Sequence, residues 1–216
     1  MTARLAALSA RQRGRGRLTW LLPLGALVTL AGYVGPWVAH PAAGLAITGL
    51  DLAEYVKFVP QVRSGEIGLW REVFYTPLVA VSLCLSLWAF RRELTVPGPV
   101  RVGMLILAGI AALNLLPPAW TPGRLSTPEF RVQTGALIVC LILAGVGPFL
   151  ALLPRRIAVG AAAILPLVAG IAAGVTFLRL TPALNELYNT SINLGWGLPV
   201  TIVGAVLMAI GALVRE

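Results

Sequence analysis

The chain contains few of the side chains from which metal sites, haem sites and catalytic centres are built. It has two cysteines, Cys84 and Cys140, and one histidine, His40. Zinc and iron–sulfur sites are held by clusters of such residues, and the sequence has no CxxC pair or Cys/His cluster. The HExxH, GxSxG, P-loop and EF-hand patterns are also missing. We therefore expect no catalytic residue, no metal, no cofactor and no enzymatic activity.

Charged residues are missing from six long apolar runs. These runs contain no Asp, Glu, Lys, Arg or His, and each is about as long as a membrane-spanning helix, which takes ~20 residues. Over the whole chain, 58% of residues are hydrophobic and 12% are charged. This composition is typical of a polytopic membrane protein, so we predict an all-α bundle of six transmembrane helices. The runs cover residues 18–38, 73–90, 102–120, 134–153, 157–178 and 194–214.

The positions of the charges predict how these runs cross the membrane. If the chain starts in the cytoplasm, the segments on that side carry eleven arginines and two glutamates, and the other side carries six basic and six acidic residues. The whole formal charge of +9 is then cytoplasmic, in agreement with the positive-inside bias. We expect both termini in the cytoplasm, residues 1–17 as a basic tail, and residues 18–214 as one membrane domain with an outer loop at 39–72.

The basic residues flank the apolar runs and do not form a stripe along one surface, so nucleic acid is not an expected partner. The arginine-rich segment 11–17 is instead expected to contact anionic lipids of the inner leaflet. Lys57 is the single lysine among seventeen basic residues, which is typical of a GC-rich bacterial genome. The expected location is therefore a bacterial plasma membrane.

The six tryptophans lie at the ends of the apolar runs. Amphipathic rings prefer the headgroup region of a bilayer, so the tryptophans are predicted to mark the two membrane boundaries. An alternative interpretation places the outer ones around a ligand vestibule. Trp20 and Trp88 fall at the inner boundary, and the outer group is Trp37, Trp70, Trp120 and Trp196.

The first outer loop contains a short amphipathic pattern. Apolar residues recur with helical spacing at residues 51–59, which predicts a short interfacial helix. Thr48 or Asp51 can cap its start, and Glu54 and Lys57 can pair at i, i+3. The apolar face needs a surface beneath it, so we expect this helix to lie flat over the outer ends of the bundle.

Polar side chains from the first and third outer loops are predicted to meet on that face. The flat placement of the helix at 51–59 brings the first loop close to Glu186 or Asn189 in segment 179–193. This defines a candidate contact site, although the contact could equally serve only to complete the fold. Its members are His40, Asp51, Glu54, Trp70, Glu186 and Asn189.

Small residues recur at every fourth position in the last two runs, as at Gly170 and Gly174, and at Thr201 and Ala205. Such faces let helices approach closely in lipid, so the fifth and sixth helices are predicted to pack as a tight pair. Asn114 is the costliest polar residue within a run. It is expected to form an interhelical hydrogen bond, with a substrate contact as the alternative.

These features predict a structural or accessory subunit of an inner-membrane assembly. Its expected partners are the lipid bilayer and either other membrane subunits or further copies of the same chain. The motivation is that the runs lack ionisable groups and the connections leave no room for a soluble domain. The alternative is a permease, or the membrane component of a transporter, for a neutral or apolar small molecule, which six proline-containing helices could form.

Overall fold

The structure, a computed structural model of the chain, describes residues 20–40, 46–91, 96–117 and 120–214. The basic tail predicted at residues 1–17 lies outside the described residues. The described part is mostly helical, as the all-α prediction states.

The helices and strands follow one another in a simple order. Two 3₁₀ turns, Val56–Phe58 and Arg71–Tyr75, accompany them. In chain order the elements are α1 (Leu21–Val34), β1 (Pro36–Ala39), β2 (Ile47–Thr48), α2 (Gly49–Tyr55), α3 (Pro60–Arg63), α4 (Thr76–Ala89), α5 (Gly98–Leu113), α6 (Pro122–Leu125), α7 (Arg131–Gly145), α8 (Gly147–Leu150), α9 (Arg155–Tyr188), β3 (Asn193–Leu194) and α10 (Gly197–Leu213).

Each of the six apolar runs contains most of one longer helix, namely α1, α4, α5, α7, α9 or α10. By length and composition, two helical stretches of the described residues could cross a membrane. These are Arg71–Ala89, which joins a 3₁₀ turn to α4, and Arg155–Tyr188, which is α9. The other four longer helices are also apolar but have 14 to 17 residues.

Several helix ends differ from the predicted boundaries, and α5, for example, ends at Leu113, short of residue 120. α1 ends at Val34 rather than at residue 38, because a proline disfavours helical backbone in the residue before it and Pro36 starts strand β1. α7 ends at Gly145, short of residue 153. α9 continues ten residues past the predicted end at 178, so most of the expected third outer loop is helical. Its extension is held by Leu180 and Leu184, which are fully buried.

Helix α4 lies at the centre of the bundle. Eleven of its fourteen residues are buried, and it contacts α1, α5, α7, α8 and α9. The central position explains why Trp88, near its end, is almost completely buried. The prediction that Trp88 marks a membrane boundary is therefore wrong.

The closest helix contact joins the first and last helices. A Cβ atom added at Gly32 would lie 2.4 Å from the backbone nitrogen of Thr201, and one at Gly204 would lie 2.3 Å from that of Thr29. As residue numbers rise along α1, the residue numbers of the contacting positions on α10 fall, so the two helices run antiparallel. The glycines on this seam recur every seven residues, at Gly25 and Gly32 and at Gly197, Gly204 and Gly211.

The predicted pairing of the fifth and sixth helices is present as a second, looser contact. A Cβ atom on Gly170 of α9 would lie 3.3 Å from the Cβ of Ala205 on α10. A Cβ atom at this spacing would require the Ala205 side chain to shift by a few tenths of an ångström, whereas the α1–α10 seam brings backbone against backbone. The small residues at every fourth position thus predicted a real contact, the one between α9 and α10. The glycines at every seventh position mark the tighter contact, between α1 and α10.

A small antiparallel sheet that the sequence did not predict closes one end of the bundle. Its strand order is β2-β1-β3, and Val38 pairs with Leu194 across the β1–β3 edge. The Gly195 N–H also donates to the Trp37 carbonyl oxygen at 2.8 Å. The sheet thereby ties the end of α1 to the start of α10, at the same end as the 3₁₀ turn that leads into α4.

Trp37 is the centre of an aromatic core beside this sheet. Its ring is fully buried and meets Tyr33, Phe74 and Phe177 edge-on, with ring centroids 6.0 to 6.3 Å apart. Its indole N–H donates to the Gly32 carbonyl oxygen at 3.2 Å. Neither a boundary role nor a vestibule role fits a ring in this position. The exposed tryptophans are Trp20, Trp70, Trp120 and Trp196.

Two arginines at the opposite end of the bundle are built into the helix packing. The Arg91 guanidinium donates to the Leu153 carbonyl oxygen at 2.9 Å, and Arg101 donates to the Ala89 carbonyl oxygen at 2.9 Å. Carbonyl groups in the last turn of a helix have no partner within the helix. Arg101 therefore completes the end of α4 while joining it to α5.

Candidate functional site

The best-defined polar site is built on α2, the helix predicted within the first loop. The Thr48 hydroxyl accepts from the Asp51 backbone N–H at 3.2 Å, and the Asp51 carboxylate accepts from the Thr48 hydroxyl at 2.7 Å and from its backbone N–H. This is a capping box, in which side chains satisfy backbone groups that a helix start leaves unpaired. Both residues that the sequence offered as caps thus act together.

The apolar face of this segment is buried in the bundle. Leu52, Val56 and Val59 have no exposed surface, as their i, i+4, i+7 spacing predicts. The segment is α-helical only to Tyr55 and continues as a 3₁₀ turn. The opposite face holds Glu54, whose carboxylate is the centre of the site.

Glu54 accepts hydrogen bonds from three side chains. Lys57 Nζ lies 2.7 Å from its Oε2, which confirms the expected i, i+3 pair. Arg71 Nη1 lies 3.4 Å from Oε1, and the Tyr75 hydroxyl donates to the same oxygen at 2.9 Å. The carboxylate therefore joins α2 to the 3₁₀ turn that leads into α4.

The same two cations reach a third part of the chain. Lys57 Nζ is 3.1 Å from Glu129 Oε1, and Arg71 also donates to the Glu129 carbonyl oxygen. Both cations lie over the Phe130 ring, at 5.7 and 5.3 Å from its centroid. Arg71 pairs with Glu72 as well, at 3.2 Å. We call this group the ion-pair cluster, formed by Glu54, Lys57, Arg71, Glu72, Tyr75 and Glu129.

The ion-pair cluster changes the acidity of its lysine. Burial by itself lowers the pKa of Lys57, but hydrogen bonds to Glu54 and Glu129 and the charges of both carboxylates outweigh it. The pKa of Lys57 is consequently raised above its ordinary value. The side chain is a fixed cation at neutral pH and cannot act as a general base there.

A groove of about 510 Å³ opens beside the ion-pair cluster. It lies between α2, the start of α4 and the end of α5, and its lining combines two carboxylates and an amide with aromatic and aliphatic side chains. The groove residues are Leu50, Asp51, Glu54, Tyr55, Phe58, Tyr75, Leu113, Asn114 and Leu116.

Asn114 does not form the interhelical hydrogen bond that the sequence predicted. Its Nδ2 donates to the Ile110 carbonyl oxygen within its own helix, at 2.8 Å. The same carbonyl oxygen also accepts from the Asn114 backbone N–H at 3.1 Å, and the residue lies at the groove wall. The helix ends at Leu113, directly before Asn114. The sequence did not reveal this end, because the apolar run continues to residue 120.

The structure brings the first loop close to Glu186, and the contact is made by Gln61 and not by Asp51 or Glu54. Gln61 Nε2 donates to Glu186 at 2.7 Å, and the His40 ring lies 5.8 Å from the Tyr188 ring. Asn189 has left-handed backbone, with φ of 49°, and ends α9. These contacts fix the end of the long helix against the loop.

The six predicted site residues therefore divide into separate places. Asp51 and Glu54 line the groove. His40 and Glu186 contact other residues at the end of α9, and Trp70 is exposed. The sequence missed Arg71, Tyr75 and Glu129 as neighbours of Glu54, because their proximity depends on how three distant segments meet.

The polar contacts described above join distant segments of the described residues. Among them, no group of three or more His, Cys, Asp or Glu side chains is placed to hold a metal ion. Comparison with known protein families, curated proteins and solved structures finds no match to this chain. The proposals that follow therefore rest on the geometry of the fold, the ion-pair cluster and the groove.

Proposed function

We propose that this protein is a multi-pass membrane protein with six spans, acting as a non-enzymatic accessory subunit of an inner-membrane assembly. The observation that carries the membrane placement is the apolar outer surface of the bundle. Large aliphatic side chains are exposed along five of the six longer helices, for example Leu27, Ile106, Ile142, Ile171 and Val206. Soluble monomers rarely expose contiguous apolar patches larger than a few hundred Å².

The short helices are compatible with this placement. A helix of 14 to 17 residues is about 21–26 Å long at ~1.5 Å per residue, against a hydrocarbon core of ~30 Å. Local thinning of the bilayer accommodates such a mismatch at a cost of fractions of a kcal/mol per Å. The exposed rings of Trp20 and Trp196, next to α1 and α10, suit the headgroup region.

The accessory role is supported by the use of the polar residues. In the described part of the chain, the carboxylates of Glu54, Glu72 and Glu129 are engaged with Lys57 and Arg71, in contacts that hold segments of the fold together. The exposed faces of α5 and α7 are the surfaces through which other membrane subunits, or a second copy, would contact the bundle.

Cysteine labelling in intact cells tests the membrane placement. Ser64→Cys should react with a membrane-impermeant maleimide, and Gly98→Cys should react only after the cells are opened. Both positions are exposed, and the native Cys84 and Cys140 are buried, so the background should be low. Labelling of Gly98→Cys from outside, or protection of Ser64→Cys, would contradict the proposed orientation.

Photo-crosslinking tests the accessory role. A photoreactive residue replacing Ile142 on the exposed face of α7 should form a defined protein adduct in cells, whereas one replacing the buried Leu85 of α4 should form none. Mass spectrometry of the adduct then identifies a partner or a second copy. A monomer after purification in mild detergent, together with crosslinks to lipid alone, would count decisively against an accessory role.

The groove favours a second candidate, a permease for a neutral or apolar small molecule. It provides an opening of suitable size beside Asn114. The groove lining does not include Thr201, which is buried with its hydroxyl bonded to the Gly197 carbonyl oxygen. Vesicles that contain the protein can be placed in solutions of neutral solutes, and their swelling compared with that of protein-free vesicles. Faster swelling in the presence of the protein indicates a permease, whereas equal swelling indicates an accessory subunit.

A further inference from the structure

One face of the central helix α4 stays partly exposed between two of its neighbours. The Ser82 side chain lies beside the Cys140 thiol of α7, and the Cys84 thiol lies 3.9 Å from the Ala162 carbonyl oxygen of α9. Successive residues of a helix are rotated by ~100° about its axis, so Leu83 projects between these two helices. Leu83 is partly exposed, whereas Ser82 and Cys84 are buried.

The partly exposed face continues along α4. Val79 lies four residues before Leu83, and Phe90 lies seven residues after it, which places the three side chains on one side of the helix. Val79 and Phe90 are also partly exposed. We call this apolar face the α4 strip, formed by Val79, Leu83 and Phe90. Because α7 and α9 both pack on α4, the strip is the floor of a channel between them.

The last side chain of the α4 strip meets the guanidinium group of Arg101. This group lies 5.2 Å from the Phe90 ring centroid, and its Nε donates to the Ala89 carbonyl oxygen at 2.9 Å. In the described part of the chain, that bond uses one of the five N–H donors of the guanidinium. The Nη groups are left for a further acceptor, and a phosphate group can accept from two of their N–H donors at once.

The same end of the bundle is strongly basic. The Arg91 guanidinium donates to the Leu153 carbonyl oxygen at 2.9 Å, which holds the start of α9, and with it Arg155 and Arg156, beside the end of α4. We call these three residues and Arg101 the arginine end. In the described part of the chain, the acidic residues lie near the opposite end. The arginine end therefore favours an anion.

Large apolar side chains are exposed next to these arginines. Helix α8 rests on the α4 strip, since a Cβ atom at Gly147 would lie 2.5 Å from the Phe90 ring. Phe149 exposes 71% of its surface and Leu152 exposes 70%. Apolar side chains beside arginines suit the boundary between lipid headgroups and acyl chains. The arginine end thus combines positive charge with an apolar surface.

We propose that the arginine end binds one anionic phospholipid of the inner leaflet, with an acyl chain lying along the α4 strip. The phosphate accepts from the Nη groups of Arg101, the charge of Arg155 stabilises it, and the chain contacts Leu83 and Val79. Basic pockets between membrane helices bind anionic headgroups in this way. A second copy docked through the same face would bring arginines against arginines. The proposal rests on the proposed membrane placement and does not depend on the accessory role.

Native mass spectrometry of the purified full chain, released from detergent micelles, tests this inference. The probe is dioleoyl phosphatidylglycerol, and we expect saturable binding of one molecule per chain. Dioleoyl phosphatidylcholine has the same acyl chains and phosphate with an added cation, and it should bind at least about tenfold more weakly, a difference of 1.4 kcal/mol. Glycerol phosphate, which has the phosphate without the chains, should bind more weakly still.

Three variants test the assigned contacts. Arg101→Gln removes the phosphate donors and should weaken binding of phosphatidylglycerol by about tenfold. Arg155→Gln leaves the end of α4 bonded to Arg101 and should weaken it by about threefold, as should Leu83→Ala, which shortens the strip contact. The controls are Arg124→Gln, an exposed arginine far from the arginine end, and Leu27→Ala on the exposed face of α1. Both controls should bind as the natural chain does.

The outcomes separate this inference from the membrane placement, because binding in micelles does not depend on how the chain crosses a bilayer, whereas maleimide labelling does. Equal binding of the two phospholipids would show an unselective lipid layer and overturn the proposal. Equal binding of glycerol phosphate would show a phosphate site without the α4 strip. Unchanged binding by Arg155→Gln and Leu83→Ala, or a loss in Arg124→Gln as large as in Arg101→Gln, would also overturn it.

Discussion

Glu54 and Arg71 each contact three other members of the ion-pair cluster, and Glu54 also lines the groove. Its carboxylate accepts from Lys57, Arg71 and Tyr75, which come from its own loop and from the turn before α4. Pairs of exposed charges contribute ~0–1 kcal/mol each, so the importance of Glu54 lies in the number of partners that one partly buried carboxylate connects. The same carboxylate also faces the groove, which links the stability of this end of the bundle to whatever occupies it.

The single lysine permits a direct test at the residue scale. Its raised pKa means that the Lys57 ammonium stabilises the folded state at every pH below the ordinary value of about 10.5. That contribution is lost as the pH rises through the higher folded pKa. In ¹⁵N-lysine NMR, the one side-chain signal should titrate above 10.5, and Glu54→Gln should lower its pKa.

Glu66→Gln is the matched control, because it removes an exposed acid from the same loop without touching the ion-pair cluster. The pKa of Lys57 should stay the same in this variant. A Lys57 signal that titrates at or below its ordinary pKa in the natural chain would contradict the geometry of the cluster.

The seam glycines give a second residue-scale prediction. A Cβ atom at Gly204 would meet the Thr29 nitrogen at 2.3 Å and the Gly25 carbonyl oxygen at 2.7 Å, and backbone atoms of a packed helix cannot move aside cheaply. Gly204→Ala should therefore destabilise the fold by ~1–3 kcal/mol, as overpacking does. Thermal unfolding in detergent, followed by circular dichroism, measures the change.

Gly109→Ala is the comparison, since a Cβ atom there meets nothing within 4 Å. This variant should be as stable as the natural chain, or more stable by ~0.5–1 kcal/mol, because alanine favours a helix interior over glycine. Equal effects at the two glycines would mean that α1 and α10 are not packed backbone to backbone.

At the scale of elements, the structural contact made by Arg101 can be separated from its proposed topological role. Positive charge favours the cytoplasmic side, and in addition Arg101 Nε donates to the Ala89 carbonyl oxygen while its guanidinium lies 5.2 Å from the Phe90 ring. A lysine keeps the charge but not the planar group that makes both contacts. The structural role therefore needs arginine, whereas the topological role does not.

Arg101→Lys should keep the labelling pattern of the natural chain and lower its stability by ~1.5–3 kcal/mol, the range for a lost hydrogen bond from a charged donor. Maleimide labelling and thermal unfolding report the two effects separately. The exposed Arg156 provides the control, since Arg156→Lys should alter neither. If Arg101→Lys unfolds at the same temperature as the natural chain, the contact with Ala89 does not stabilise the end of α4.

At the scale of the whole molecule, the last two helices are held by contacts with distant parts of the chain. α10 packs along α1, and α9 packs against α4. Fragments 1–153 and 154–216, divided between α8 and α9, should therefore associate when they are expressed together. Transmembrane helices can form independently and then assemble by packing, so the division does not prevent either fragment from inserting.

An affinity tag on fragment 1–153 should recover fragment 154–216 from detergent extracts. Recovery should fall when the second fragment carries Gly204→Leu, which fills the seam, and should persist with Gly160→Ala, where a Cβ atom meets nothing within 4 Å. Failure of the unaltered fragments to associate would show that the α1–α10 seam does not suffice to hold the halves together.

Apolar periodicity was sufficient to predict several local features of this protein. The six apolar runs located the six longer helices, and the i, i+3, i+4 pattern located the buried face of α2 together with its Glu54–Lys57 pair. Helices and caps depend on residues within a few positions of one another, so the sequence states them directly. The helix ends missed at α1 and α7 lie where proline or glycine interrupts an otherwise uniform apolar composition, whereas α9 continues past Arg179 and through Pro182.

Contacts between distant segments were decided only by the tertiary structure. The β1–β3 pairing, the burial of Trp37 and the meeting of Glu54 with Glu129 through shared cations join residues far apart in the chain. The heptad glycines signal a close contact, but their spacing does not name the partner helix. Because a single apolar helix can present several faces of similar composition, the choice among them is made by how all six helices pack at once.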